Sequence, residues 1–394
     1  MMKVDVKIDN RWCIHSYYTI SPYANDDSKR LLLSGANIDK SYGEIYIIND
    51  EGRVIDTFGK NALYSAFYHT GYWQTWSEDC RYVYYQAGTP EKPKIGIYDT
   101  VCKKEYFADG DMEGAPPKGN VILSGLMGML YAAGYADGKY HKDRFPVPYN
   151  NRDAHGIFEF DIFNNKKKLV LSINDAIGML RDEEKQKIYQ GDKKVRALYG
   201  GNEMLTLMCC CVRWNTQGTR CLFYLSNHSA PSARGEESFG YIFTADKNFN
   251  DVHMALNLTG KKNCHWSWHP DGKHIIGYIE INSVLCLAQV RYDGTGLQKI
   301  HDSSTCGHVS VNPFNYEMAV TDTYEKMGRV QILNLPQNSI DKEYRISRCN
   351  CDVEPVGRNP HRVCNHPVFV EEGNKLLVNC LENKNAYVKI IEIK

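Results

Sequence analysis

Three histidines occupy one place in a recurring pattern: Cys264-His265-Trp266-Ser267-Trp268, Gly307-His308-Val309-Ser310-Val311 and Asn365-His366-Pro367-Val368-Phe369. In each copy the imidazole stands three residues before an apolar residue, Trp268, Val311 or Phe369. A fourth segment, Cys211-Val212-Arg213-Trp214, repeats the spacing with a thiol in place of the imidazole. Tyr17 and Trp73 fall at the same place in two earlier segments. If these segments are equivalent parts of a repeat that closes on itself, His265, His308, His366 and Cys211 converge on one point. That mixture of nitrogen and sulfur suits a divalent metal, zinc first and manganese second. The alternative is a copied structural histidine, one that caps its unit by hydrogen-bonding a backbone group.

The elements that must position these residues are short strands joined by tight turns. Asn263 to Trp268 reads as a strand, Asp271-Gly272 as a hairpin turn, and His274 to Gly277 as the returning strand. The same unit recurs from Cys306 into Met318-Ala319-Val320 and from Cys364 into Leu376-Leu377-Val378. Earlier units begin near Tyr17, His69, Gly119 and Met208. In the third, Leu130 to Gly134 is a further strand, and a Tyr-, Pro- and Asn-rich insertion runs from Asp137 to Asp153. One helix is expected, over Asp175 to Ile188, on a loop between units. Seven units at spacings of roughly forty to eighty residues, each with about four strands, predict an all-β fold. That fold is a seven-bladed β-propeller with a short helical insertion, forming a single domain over 1–394. A β-sandwich explains the alternating strands but not the repeated aromatic–turn–apolar unit. The first strand, Val4 to Ile8, is expected to pair with Val388 to Ile393 and close the ring, which removes an exposed sheet edge.

Composition narrows the function. With 27 Tyr and 31 Gly the chain favours strands and turns. Lys+Arg equals Asp+Glu at 47 each, so no global field draws in nucleic acid or an anionic membrane. No apolar run is long enough to span a bilayer. The N-terminus lacks the apolar core of a secretory signal, so the expected location is cytoplasmic, or secreted with a leader this sequence does not carry. Fourteen Cys without framework spacing, Cys209-Cys210-Cys211 among them, argue for a reducing compartment. Arg348-Cys349-Asn350-Cys351-Asp352 with Cys364 hints at a small thiol site. There is no Gly-x-Ser-x-Gly elbow, P-loop or dinucleotide fingerprint.

The three His-bearing motifs, with Thr321-Asp322-Thr323-Tyr324, Tyr18 to Pro22 and Gly71 to Trp76, resemble blade motifs of seven-bladed polysaccharide lyases of the oligogalacturonate-lyase and ulvan-lyase type. The resemblance implies a metal near the axis and β-elimination on an acidic, uronate-containing oligosaccharide or polysaccharide. Such chemistry needs a cation to neutralise the uronate carboxylate, a base for the C5 proton and an acid for the leaving oxygen. His69 is the first candidate base and His155 the second. Tyr149 or Tyr199 is the candidate acid. Arg213 and Arg234 are candidate carboxylate binders. Trp73, Trp76 and Trp266 are candidate sugar-stacking residues. The fourth blade departs from the pattern, with Cys209-Cys210-Cys211 at its start and Asn215-Thr216-Gln217-Gly218 at its turn. That departure supports the alternative of a non-catalytic propeller binding a glycan or a protein.

Overall fold

The computed structural model describes residues 3–37, 43–60, 67–89, 91–126, 147–227, 231, 234–323, 327–348, 363–383 and 385–393. The strand expected over Leu130 to Gly134, much of the insertion after Asp137 and the Cys349–Asp352 segment lie outside them. The chain forms seven antiparallel sheets, the blades of a β-propeller. Six have four strands, and blade three has three among the described residues, Val121–Ser124, Gly156–Asp161 and Lys166–Ser172. The first strands of blades four to seven, Met208–Trp214, Asn263–Trp268, Val309–Asn312 and Val368–Val370, touch one another in succession. They form the inner wall. The ring closes as expected: Lys3–Val6 is the outer strand of blade seven, pairing antiparallel with Asn385–Glu392 in the register Lys3 to Ile391 and Val6 to Val388.

Blade five shows why these residues fold this way. Asp271 Oδ1 accepts from the backbone N–H of Lys273 at 2.8 Å and of His274 at 3.0 Å, which fixes the turn. Blade four, without an Asp-Gly pair, reaches the same turn through Asn215, whose Oδ1 accepts from Thr219 N–H at 2.9 Å and Arg220 N–H at 3.1 Å. The returning strand His274–Ile281 carries Ile275, Ile276 and Ile279, all wholly buried. Trp266 is buried beneath them, and Gly277 is what makes room for it: a Cβ there would lie 2.6 Å from the indole. Gly277→Ala is expected to destabilise the protein by about 1–3 kcal/mol. The readout is a lower denaturant midpoint at unchanged slope; an unchanged midpoint would mean that the indole moves aside freely.

The inner strands are not regular. Pairing slips between Cys210 and Arg213 in blade four, and between Cys264 and Ser267 in blade five. At the slips Cys211 (φ 57) and His265 (φ 43) take the left-handed conformation, as do Trp73 (φ 55) and His366 (φ 43) ahead of blades two and seven. These are the positions that the sequence spacing aligned. Each costs a non-glycine residue about 1–2 kcal/mol, and the bulge re-aims the side chain relative to the strand.

The helical insertion differs from the single helix expected. It is two helices, Ile173–Gly178 and Asp182–Tyr199. Ser172 and Asp175 form a capping box on the first, and Asp182, Glu183 and Glu184 begin a new N-terminus three residues past its end. Their apolar residues, Ile177, Ile188 and Val195 among them, pack with Leu205 and Phe239 against blade four. No helix among the described residues is long and apolar enough to cross a membrane.

Candidate metal centre

The axis gathers side chains from three blades. His69 ends the helical turn Phe67–Thr70 that precedes blade two. His308 precedes the inner strand of blade six, and Gly307 before it lies so close to the next strand that a Cβ would fall 1.8 Å from the Asp322 carbonyl oxygen. Cys364 and His366 precede the inner strand of blade seven. One donor atom from each of His69, His308, Cys364 and His366 lies within 4.8 Å of every other, and all four residues are buried. The rings of His308 and His366 are 4.1 Å apart, edge to face. His69 Nδ1 is 3.2 Å from Cys364 Sγ.

The surroundings fix which nitrogen each ring presents. Asp322, wholly buried, accepts from the backbone N–H of His308 at 2.7 Å and of His366 at 3.2 Å, and lies 2.9 Å from His308 Nδ1. With Nδ1–H donated to that carboxylate, His308 turns the Nε2 lone pair to the group. His366 Nδ1 lies 3.4 Å from the Ser16 carbonyl, and its buried Nε2 has no hydrogen-bond partner. Burial drives the pKa of His308 and of His366 well below the ordinary value, which keeps both rings in the neutral form that binds metals. An orphaned Nε2, carboxylate-oriented imidazole and a thiol meet the requirements of a divalent site.

Of the four residues expected as ligands, His308 and His366 stand in this group. His265 is beside it, its ring 4.0 Å from that of His308, but its Nδ1 is 2.7 Å from Cys264 Sγ and its donors lie outside the four. Cys211 is also outside: it packs with Tyr149, Met208 and Cys210, and its backbone N–H donates to Glu113 at 2.9 Å. His69, read as a base, and Cys364, read only as part of a thiol site, stand in the group instead. Spacing aligned the strands correctly, but the bulges turn Cys211 and His265 aside.

Arg213 lies next to the centre. Its guanidinium donates to Tyr17 Oη at 2.9 Å, to Tyr18 Oη at 3.2 Å and to the Trp266 carbonyl. It is buried, its Nε has no partner, and no carboxylate among the described residues lies within ion-pair distance. The Tyr17 ring joins it to the centre, 4.8 Å from the His366 ring and 5.6 Å from that of His69. Tyr17 stands at the position of blade one that the sequence aligned with the histidines, with Tyr18 beside it, but the spacing assigned neither phenol a chemical role.

Other candidates go elsewhere. Arg234 is ion-paired with Glu203 at 2.7 Å and Glu236 at 3.2 Å, so its charge is already neutralised. Tyr149 donates to Glu203, and Tyr199 donates to the Arg234 carbonyl at 2.8 Å; together they clamp the helical insertion to blade four. His155 is wholly buried at the start of Gly156–Asp161, its ring against Phe158 with neither nitrogen partnered. Burial pushes its pKa down to about 4. Trp73, Trp76 and Trp266 are buried in the protein interior. Trp76 donates to the Pro22 carbonyl at 3.3 Å.

No protein-family model and no curated protein matches the chain. Solved structures do. An oligogalacturonate lyase in complex with manganese aligns at a TM-score of 0.63 with 10% identity, covering 100% of this chain and 93% of that one. The oligogalacturonate lyase from Vibrio parahaemolyticus aligns at 0.61 with 12% identity and the same coverage, 100% and 93%. The β-propeller domain of Cps50 (Swd1) from Myceliophteria thermophila aligns at 0.52 with 10% identity, covering 99% of this chain and 98% of that one. At such identities the likeness establishes the β-propeller fold, which this chain shares with lyases and with other proteins alike.

Proposed function

We propose that the protein is a metal-assisted lyase that cleaves short uronate-containing oligosaccharides by β-elimination. The observation that carries this is a buried guanidinium, Arg213, partnered by phenols and a carbonyl, beside a buried three-histidine, one-thiol group. A substrate carboxylate supplies the ion-pair partner that Arg213 lacks among the described residues, since the buried carboxylates Glu113 and Asp322 are taken up by the backbone N–H groups of Cys211, Val212, His308 and His366. His69, His308 and His366 with Cys364 would hold the ion, zinc first and manganese second. The manganese complex of a lyase of like fold supports a divalent ion in this chain. Bound there, the ion supplies Lewis-acid neutralisation of the uronate carboxylate. The rest falls to the chain. Arg213 grips the carboxylate in two-pronged fashion. His265, adjacent to the centre and kept neutral by burial, is the base for the C5 proton. Tyr17, whose pKa burial raises well above the ordinary phenol value, keeps its proton and gives it to the leaving oxygen. These roles replace the base and acid expected of His69, Tyr149 and Tyr199.

The test supplies the metal-loaded protein with a panel of uronate oligosaccharides and follows the near-ultraviolet absorbance of the unsaturated product. The expected result is product formation that chelation abolishes and the divalent ion restores. Binding of an oligosaccharide without any product would instead identify a glycan-binding module.

A further inference from the structure

We propose that Cys364 serves the axial centre as a thiolate ligand held in place by the buried guanidinium of Arg348, which makes the site one for a thiophilic ion and a poor one for manganese. The inference rests on the metal reading above and specifies its fourth donor. Cys364 is 1% exposed, and its Sγ is one of the four donors grouped within 4.8 Å. Arg348, wholly buried, donates from one arm to the Thr323 carbonyl at 2.8 Å and from the other to Cys364 Sγ at 3.6 Å. The first bond fixes the fork and the second aims it at sulfur. A guanidinium cannot release its proton in a protein, so its charge, which also acts on the Asp322 carboxylate, permanently favours a sulfur anion beside it. Independently, the unpartnered and buried Nε2 of His366 points to an occupant of the same space.

The step balances simply. The Cys364 S–H bond breaks, an S–metal bond forms, and the proton leaves to solvent. Sulfur donors select zinc and its thiophilic neighbours, whereas manganese favours carboxylate, carbonyl and water oxygens. The four-donor group contains no oxygen.

Cobalt(II) is the probe, because its bond to a thiolate gives a near-ultraviolet charge-transfer band that its bonds to imidazole do not. The metal-stripped full chain titrated with cobalt(II) is expected to show that band together with visible ligand-field bands. Cys364→His should keep the visible bands and lose the near-ultraviolet one, as should Cys364→Ser if it folds. Cys306→Ser should keep both. Zinc is expected to displace the cobalt, and equimolar manganese is not. Arg348→Met is expected to weaken cobalt binding by about 10–100-fold and to move the charge-transfer band, a change that a merely structural arginine would not produce. Visible bands without the near-ultraviolet band would overturn the thiolate and leave the metal reading standing. A band that survives Cys364→His, or displacement by manganese as effective as by zinc, would also overturn the proposal. Failure of cobalt to bind at all would overturn the metal reading and the proposal with it.

Discussion

Arg213→Met is expected to lower kcat/KM on a uronate oligosaccharide by about 10²–10³-fold, the usual size of losing one preorganised charge-stabilising donor. The guanidinium carbon lies 5.0, 5.6 and 5.8 Å from the ring centroids of Tyr17, Tyr18 and Tyr224, and methionine fills part of that space with an uncharged thioether. The fold and the bound metal are therefore expected to persist, because Arg213 is not among the four donors. Arg213→Lys separates charge from shape. A lysine restores the positive charge but not the fork, so a partial loss points to two-pronged recognition and a full rescue to bare charge. A variant that turns over substrate at the parent rate would remove Arg213 from the reaction.

The second large effect is expected at Asp322. This carboxylate holds His308 Nδ1 at 2.9 Å and two backbone N–H groups from adjacent blades at 2.7 and 3.2 Å. Asp322→Asn keeps the shape but leaves one acceptor oxygen where there were two. The amide cannot satisfy both backbone groups and orient the imidazole as well. Metal affinity is expected to fall by about 10–100-fold, the usual cost of losing such an outer partner. A competition titration of zinc against a chromogenic chelator reads this directly. Equal zinc affinity in the two proteins would show that His308 is held by packing alone.

Repeat spacing carried the architecture because a propeller copies one unit. Trp73, Cys211, His265 and His366 were aligned by the interval to the next aromatic or apolar residue, and all four share a left-handed backbone. That interval fixes which residues reach the inner wall. It does not fix how far along the axis each side chain lies, nor which way a bulge turns it, and so Cys364 rather than Cys211 stands among the four grouped donors. His69 arrives from a helical turn ahead of its blade, outside the strand pattern altogether. The partnership of Arg234 and Tyr149 was hidden for another reason. Their common partner Glu203 is 31 residues from one and 54 from the other, and nothing local announces such an ion pair.

Ring closure by Lys3–Val6 on Asn385–Glu392 sets a schedule on biosynthesis. A ribosome makes His69 295 residues before Cys364, and the first strand waits for a partner that lies beyond every other blade in the chain. The four candidate donors can meet only once Cys364 and His366 have been made, so an ion held by all of them would be loaded after that point. Until then the candidate donors stay apart and the opening strand stays unpaired.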